Sequence, residues 1–309
     1  MKKNILITGS NGQIGKELSE SFKQKNNASN IICLDLIKGE QNHFKFYKCN
    51  ILDYEKLNSI FKKEKINEVY HLAAYLSAKA ENNMNLAWKV NMDGLQNILE
   101  LSVKYNVKKI FWPSSIAVFG EDATKTKTKQ NEKTNPNSIY GITKVLGERL
   151  CEFFFKNYKL DIRSVRFPGL IGHKSMPGGG TTDYAVDIFY SAVKKEKFSC
   201  FLKENTLLPM MHMDDSIRAI HEIMNCESKQ IKIRTSYNIS GCSFNPKNIF
   251  DEIKKHINEF TITYKPDFRQ GLAESWPNSI DDTEAKKDWN WKSNYKISEI
   301  VKSMLENIK

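Results

Sequence analysis

Three polar side chains in the middle of this 309-residue chain can together remove a proton from a hydroxyl group. Tyr140 and Lys144 are four residues apart in a helical pattern, so both side chains lie on one helix face. A free tyrosine phenol has a pKa of about 10, and a nearby ammonium favours the phenolate and lowers that pKa. Ser115 ends an apolar strand and can hold the same hydroxyl oxygen. We therefore predict Ser115, Tyr140 and Lys144 as catalytic residues, with Tyr140 as the general base.

The N-terminal segment predicts a strand, a glycine turn and a helix. An apolar run at residues 5–7 precedes three glycines at a spacing of three, and apolar residues at helical spacing follow. Such a turn brings the backbone close to a pyrophosphate, which lies at the helix N-terminus where unpaired N–H groups favour an anion. The residues predicted to bind a dinucleotide here are Gly9, Gly12, Gln13, Ile14 and Gly15.

An acidic residue ends the second predicted strand. Residues 31–34 are apolar, and Asp35 follows them twenty residues after Gly15. A carboxylate at this position accepts hydrogen bonds from the free hydroxyls of a ribose and repels a 2′-phosphate. The glycine turn and Asp35 together predict NAD as the cofactor.

Strands and helices alternate from the N-terminus to residue 167, which predicts an α/β fold with a Rossmann-type doubly wound parallel sheet. We assign residues 1–168 to an NAD-binding domain, with 214–241 returning to it, and residues 169–309 to a smaller C-terminal substrate lobe. The predicted strands are residues 5–7, 31–34, 44–49, 68–74, 109–112 and 161–167, and the two long helices are residues 82–105 and 140–158.

The carboxyl ends of the later strands supply further candidate cofactor contacts. The loop after the third strand borders the adenine pocket in this architecture, and small residues after the fourth strand let a dinucleotide lie against the backbone. The predicted contacts are Asn50, Ile51, Leu72, Ala73, Ala74, Phe167, Pro168 and Leu170.

Composition argues against several other classes of protein. The net charge of +11 comes from scattered lysines without interleaved aromatic residues, so we expect no nucleic-acid partner. The six cysteines form no CxxC pair, so we expect neither a zinc site nor a disulfide framework. No apolar run approaches the length of a membrane span. A strand follows Met-Lys-Lys directly, so we expect a cytoplasmic protein, or a mitochondrial matrix protein if a presequence precedes this sequence.

These motifs together resemble the extended short-chain dehydrogenase/reductase family. The match consists of Gly9-x-x-Gly12-x-x-Gly15, Ser115 and Tyr140-x-x-x-Lys144, with the tyrosine 25 positions after the serine. The resemblance implies a nicotinamide cofactor and the catalytic roles given above. Asn50 departs from the pattern, because many relatives have an acid after the third strand.

The second half of the chain resembles the short-chain L-threonine 3-dehydrogenases. The resemblance implies NAD-dependent oxidation of the 3-hydroxyl of L-threonine to 2-amino-3-oxobutanoate without zinc, at the entry of threonine breakdown toward glycine. It also implies a homodimer formed through the helices at 82–105 and 140–158. The matching strings are residues 166–172 (RFPGLIG), 177–186 (PGGGTTDYAV), 208–215 (LPMMHMDD) and 275–277 (SWP).

An amino-acid substrate suits the polar residues around the predicted base. Gly180 and Thr182 can offer a backbone N–H and a hydroxyl to the carboxylate, and Ser77 can bind the polar head group. Ser114 or Ser115 holds the reacting hydroxyl together with Tyr140. Trp276 is either a wall of the pocket or a core aromatic. The predicted substrate-binding residues are Ser77, Ser115, Tyr140, Gly180, Thr182 and Trp276.

Two other functions remain open at this point. A nucleotide-sugar epimerase or dehydratase of the same fold uses the same catalytic group but keeps its NAD bound permanently. A non-catalytic NAD-sensing protein also binds the dinucleotide, although such proteins often lose the Tyr or the Lys, and this chain has both.

Asp35 generates the first testable prediction. Replacing it with alanine removes the carboxylate that favours a free ribose, so Asp35→Ala should weaken the preference for NAD over NADP. The measurement is the ratio of kcat/KM for the two dinucleotides. Equal use of both by the unmodified protein would show that Asp35 does not select the cofactor.

Overall fold

The structure, a computed structural model, describes residues 3–24, 29–39 and 44–308. Its strands are β1 (Asn4–Thr8), β2 (Asn30–Asp35), β3 (Lys45–Lys48), β4 (Glu68–His71), β5 (Lys109–Ser115), β6 (Asp161–Phe167), β7 (Gly169–Ile171), β8 (Phe198–Cys200), β9 (Leu208–His212), β10 (Tyr237–Asn238), β11 (Cys242–Phe244) and β12 (Ile262–Tyr264). Its α-helices are α1 (Gln13–Gln24), α2 (Tyr54–Glu64), α3 (Ser77–Asn82), α4 (Met84–Trp88), α5 (Gly94–Lys104), α6 (Ile139–Tyr158), α7 (Tyr184–Val193), α8 (Met213–Asn225), α9 (Pro246–Lys254), α10 (Arg269–Ser275), α11 (Thr283–Trp289) and α12 (Ile297–Asn307).

A parallel sheet of seven strands forms the centre of the described part of the chain, in the order β10-β6-β5-β4-β1-β2-β3. The interiors of its central strands are buried almost completely, as expected for a parallel sheet with helices on both faces. The strand order reverses at β1, which pairs with both β2 and β4. A ligand crevice therefore lies at the carboxyl ends of β1 and β4. The predicted doubly wound α/β fold is confirmed.

Residues after β6 form two smaller sheets, β11-β9-β7 and β12-β8, which pack with α7, α9 and α12 around a second core. The chain also returns to the main sheet, because β10 pairs with β6 and the apolar face of α8 packs on α1. The domain boundary at residue 168 stays a prediction. No helix in the described ranges is long and apolar enough to cross a membrane.

The helix predicted at residues 82–105 is interrupted. After α4 the backbone widens into a π-helical turn, Lys89–Asp93, before α5 continues. Asn91 in this turn is buried and receives a hydrogen bond of 2.7 Å from the Tyr75 N–H, while its amide donates to the Tyr75 carbonyl at 3.1 Å and to Thr143 Oγ1 at 3.1 Å. The π turn therefore joins the loop after β4 to α6, as such turns often do near functional sites.

A buried ion pair links α6 to the main sheet directly beneath the crevice. Arg166 of β6 donates two hydrogen bonds of 2.8 Å to Glu148 of α6, and both side chains are almost fully buried. Ser114 of β5 donates to the same carboxylate at 2.6 Å, and Asn238 of β10 accepts from Arg166 at 3.1 Å. The pair thus connects three adjacent strands with the helix that begins next to Tyr140.

We predict that Arg166→Met lowers the free energy of unfolding by about 3–5 kcal/mol, because it leaves Glu148 buried without its countercharge. The matched control is Glu152→Gln on the same helix, which removes an exposed pair with Arg149 and Lys156 and should cost less than about 1 kcal/mol. Urea unfolding measures both. Similar unfolding midpoints for the two variants would contradict the role given to the buried pair.

Candidate active site

A cavity of about 650 Å³ opens at the carboxyl ends of the central strands and reaches from the glycine turn to the C-terminal lobe. All of the residues predicted to bind cofactor or substrate line this one cavity. They are Gly9, Gly12, Gln13, Ile14, Gly15, Asp35, Asn50, Ile51, Leu72, Ala73, Ala74, Ser77, Ser115, Tyr140, Lys144, Phe167, Pro168, Leu170, Gly180, Thr182 and Trp276.

The turn between β1 and α1 has the close packing that the glycine spacing predicts. Gly9 has φ +67°, and a Cβ there would lie 2.6 Å from the backbone nitrogen of Ala73 after β4. A Cβ on Gly15 would lie 2.2 Å from the Gly9 carbonyl oxygen, so only glycine lets α1 begin this close to the turn. The N–H groups of the first turn of a helix have no intrahelical acceptor. The cavity edge at α1 therefore fits a pyrophosphate.

Backbone N–H groups hold Asp35 at the same edge. One carboxylate oxygen accepts from the Asn11 N–H at 2.9 Å and the other from the Leu36 N–H at 2.7 Å. The carboxylate is thus fixed at the end of β2, beside the glycine turn. This donor and acceptor set fits a dinucleotide whose adenosine ribose carries free hydroxyls.

The three predicted catalytic side chains come together on one wall of the cavity. The Ser115 side chain lies close enough to the Tyr140 phenol to lower its pKa, and both residues line the cavity. Lys144 Nζ lies 5.5 Å from the centroid of the Tyr140 ring and 4.6 Å from that of Trp112, and it donates to the Pro113 carbonyl at 2.6 Å. Ser138 caps α6 by accepting from the Gly141 N–H at 3.1 Å, which places Tyr140 in the first helical turn.

Strand geometry decides between Ser114 and Ser115, either of which could hold the reacting hydroxyl according to the sequence. Successive side chains of a strand point to opposite faces of the sheet. Ser114 is buried and donates to Glu148, whereas Ser115 is only partly buried and lines the cavity together with Tyr140. Ser115 is therefore the serine placed to contact a reacting hydroxyl.

Burial dominates the titration of this group. It raises the pKa of Tyr140 to about 12, against the smaller opposite effect of the hydrogen bond with Ser115. It lowers the pKa of Lys144 to about 8, against the smaller opposing effects of Cys151 and Glu148. The lowered Tyr140 pKa expected from the sequence relies on a positive nicotinamide ring as well as on Lys144. In the protein alone, the cost of burying the phenolate outweighs the effect of Ser115.

The glycine-rich loop from the lobe closes the other side of the cavity and is held by its own hydrogen bonds. The Thr181 N–H donates to Ser77 Oγ at 3.1 Å. The Gly180 N–H, which we predicted to bind the substrate carboxylate, donates to Asp183 Oδ2 at 2.7 Å, and the Gly179 N–H donates to the same oxygen at 2.8 Å. The Thr182 hydroxyl lines the cavity and has no hydrogen-bond partner among the described residues.

Trp276 satisfies both interpretations that the sequence allowed. It is only 4% exposed and belongs to the core of the lobe, and it also lines the cavity. Lys125 fixes its backbone, because Nζ donates to the carbonyls of Glu274 at 3.0 Å, Ser275 at 2.9 Å and Trp276 at 3.3 Å. Sequence reasoning missed Lys125 because it lies in a polar stretch, residues 121–137, that has no periodicity to show what it packs against.

Comparison with known proteins agrees with this geometry. Residues 5–240 match the model of the NAD dependent epimerase/dehydratase family, and the chain belongs to that family. NAD is thus its cofactor. A UDP-glucose 4-epimerase from Thermotoga maritima shares the fold, with 24% identity and a TM-score of 0.87 over 98% of both chains.

Relatives with higher sequence identity are named as L-threonine dehydrogenases. The holo form of an L-threonine dehydrogenase from Cupriavidus necator is 45% identical, with a TM-score of 0.97, over 99% of this chain and 100% of that chain. A monomeric L-threonine 3-dehydrogenase from a metagenome is 47% identical, with a TM-score of 0.95, over 98% of both chains. The mitochondrial L-threonine 3-dehydrogenase of Bos taurus is 40% identical over 98% of this chain and 82% of its own length.

The lowered pKa of Lys144 predicts a pH-dependent stability. Between about pH 8 and about pH 10 the unfolded chain binds more protons at this side chain than the folded chain does, so its unfavourable effect on stability fades as pH rises. The advantage in free energy of unfolding of Lys144→Met over the unmodified protein should therefore be greatest near neutral pH and shrink toward pH 10.

Urea unfolding at several pH values tests this expectation. The matched control is Lys156→Met, which removes an exposed lysine from the same helix. If both variants show the same pH dependence relative to the unmodified protein, the Lys144 ammonium is not destabilised by burial.

Proposed function

We propose that this chain oxidises the 3-hydroxyl of L-threonine with NAD, forming 2-amino-3-oxobutanoate and NADH at the entry of threonine breakdown toward glycine. The main support is that one cavity joins the Ser115, Tyr140 and Lys144 group to the dinucleotide-binding turn and to the loop at residues 180–182. The names of the solved relatives at 45% and 47% identity agree with this substrate.

The proposed cofactor contacts follow the course of the cavity. Gly12 and the first turn of α1 bind the pyrophosphate, and Asp35 accepts from the adenosine ribose. Asn50 and Ile51 border the adenine, and Lys144 binds the nicotinamide ribose. When bound, NAD supplies a hydride acceptor and a positive charge in the cavity. The remaining proposed contacts are Gly9, Gln13, Ile14, Gly15, Leu72, Ala73, Ala74, Tyr140, Phe167, Pro168 and Leu170.

The chain's own residues bind and deprotonate the substrate hydroxyl. Ser115 and Tyr140 line the same part of the cavity, and their two side chains together hold the substrate oxygen between them. The protein alone keeps the phenol protonated, so Tyr140 acts as a base only once added positive charge in the cavity favours the phenolate. Ser77, Thr182 and Trp276 contact the remainder of the substrate.

The epimerase alternative makes a different use of the same cavity. An epimerase or dehydratase retains its cofactor and returns the hydride within one turnover, so it releases no net NADH. A non-catalytic NAD-binding protein would form none. Accumulation of free NADH with L-threonine therefore separates the proposed function from both.

We also propose a homodimer and a cytoplasmic location. The packed helices α4 and α6 expose large apolar side chains, which a second copy would cover. One relative is named as a monomer, so the molar mass in solution decides this point. The exposed side chains are Met84, Leu86, Trp88, Ile142, Leu146, Phe153 and Tyr158.

NADH formation with L-threonine, L-serine, L-allo-threonine and a sugar nucleotide tests the proposed function. We expect kcat/KM to be highest for L-threonine, because L-serine lacks the methyl group and L-allo-threonine has the opposite configuration at the carbon that bears the reacting hydroxyl. The absorbance of released NADH is the measurement. A protein that isomerises the sugar nucleotide and leaves L-threonine unchanged would be an epimerase instead.

Tyr140→Phe tests the proposed base. The variant keeps the ring and its packing and loses the phenolic oxygen, so turnover of L-threonine should fall by about two to four orders of magnitude. NAD affinity and thermal stability should stay close to those of the unmodified protein. A variant that oxidises L-threonine at nearly the original rate would assign the proton transfer to another group.

A further inference from the structure

Two carboxylates line the cavity within the described ranges, and they lie in different parts of it. Asp35 ends β2 at the dinucleotide-binding turn. Asp183 comes from the lobe, directly after Thr182 in the glycine-rich loop and directly before α7. The first carboxylate is explained by the ribose of the cofactor. The second lies with the proposed substrate residues, and the function proposed above gives it no role.

Hydrogen bonds fix one oxygen of Asp183 and leave the other available. Oδ2 accepts from the N–H groups of Gly179 at 2.8 Å and Gly180 at 2.7 Å. Oδ1 accepts no hydrogen bond from any residue that the structure describes, and Asp183 makes no side-chain capping bond to α7. The carboxylate is therefore held in a defined orientation by backbone groups, with an acceptor oxygen left over.

Asp183 also lacks a close countercharge. None of the described cations forms a salt bridge with it, since the nearby Arg269 is paired with Asp267 at 2.6 Å. The charges of Arg269 and Lys79 act on Asp183 only from a distance, and burial raises the pKa of its carboxyl in spite of them. A partly buried carboxylate without an ion partner carries a desolvation cost, and a ligand that brings a positive charge reduces this cost.

We propose that Asp183 binds the α-ammonium group of the substrate and thereby selects 2-amino-3-hydroxy acids over 3-hydroxy acids that lack the amine. This inference rests on the proposed function, because L-threonine brings one ammonium group into the cavity. The contact between the ammonium group and Asp183 also orients the substrate. The Gly180 N–H is already bonded to Asp183, so the substrate carboxylate lies toward the Thr182 hydroxyl and the ammonium toward Asp183 Oδ1.

Asp183→Asn separates charge recognition from loop structure. The asparagine amide oxygen can still accept from Gly179 and Gly180, so the loop is retained while the negative charge is lost. Asp187→Asn is the matched control, because Asp187 lies one turn further along α7, is also partly buried, and does not line the cavity. Thermal unfolding and NAD affinity of both variants confirm that the fold and the cofactor site are intact.

The decisive measurement compares ligands with and without the amine at saturating NAD. In Asp183→Asn we expect kcat/KM for L-threonine to fall about ten- to a hundredfold, mainly through KM, as for the loss of a charged hydrogen bond. Competitive inhibition by (3R)-3-hydroxybutanoate, which lacks the amine, should be unchanged or stronger. Asp187→Asn should change neither quantity.

Three results would overturn the inference. Unchanged L-threonine kinetics in Asp183→Asn would show that the ammonium does not contact this residue. An equal weakening of L-threonine and (3R)-3-hydroxybutanoate would show that Asp183 acts only on the shape of the loop. If the unmodified protein fails to oxidise L-threonine, the proposed function and the inference both fail. The assay of the unmodified protein therefore distinguishes this failure from a failure of the inference alone.

Discussion

Burial of the Lys144 ammonium is the constraint on which the rest of the site depends. The side chain is 4% exposed, lies against the rings of Trp112 and Tyr140, and donates to the Pro113 carbonyl. A cation without water needs such acceptors and π faces, and the end of β5 against the first turns of α6 supplies them. The contact of this strand with this helix therefore determines where Tyr140 lies, and Ser115 follows at the end of the same strand.

A parallel sheet turns distant sequence positions into neighbours because all its strands end at one edge. Gly9 follows β1, Asp35 ends β2, Ala73 follows β4, Ser115 ends β5 and Phe167 ends β6, and all five line the same cavity. Each residue needs only its own strand to be in register, as the pairing of β1 with both β2 and β4 illustrates. Chemistry at this edge therefore needs no long-range motif in the sequence.

Features that depend on local spacing could be predicted from the sequence. The glycine turn, Asp35 at a strand end and the Tyr140–Lys144 pair on one helix face each follow from a few adjacent residues. The π turn at Asn91 could not be predicted, because it depends on hydrogen bonds to Tyr75 and Thr143 from other segments. A π turn holds one residue more than an α-helical turn, and the apolar spacing over residues 82–105 gives no sign of this residue.

The misjudged properties share a physical cause, which is competition between groups that the sequence does not show as neighbours. The Gly180 N–H looked available for a ligand until Asp183 was found to accept from it. The pKa of Tyr140 was expected to fall because Lys144 is near, yet the same burial that brings them together penalises the phenolate. The availability of N–H donors and the cost of burying a charge depend on the folded structure, and residue spacing alone does not reveal them.

The bonds of Lys125 have a practical consequence for engineering this chain. Residues 121–137 are polar and lack regular structure, so composition alone would recommend them for a tag, a linker or a new binding loop. Yet Lys125 caps the end of α10, because it donates to the carbonyls of Glu274 and Ser275 and of Trp276 directly after the helix. The Asn278 N–H donates back to the Lys125 carbonyl at 2.7 Å. An insertion there would break the bonds that hold the segment with Trp276. A fusion at this surface position would therefore change the wall of the cavity.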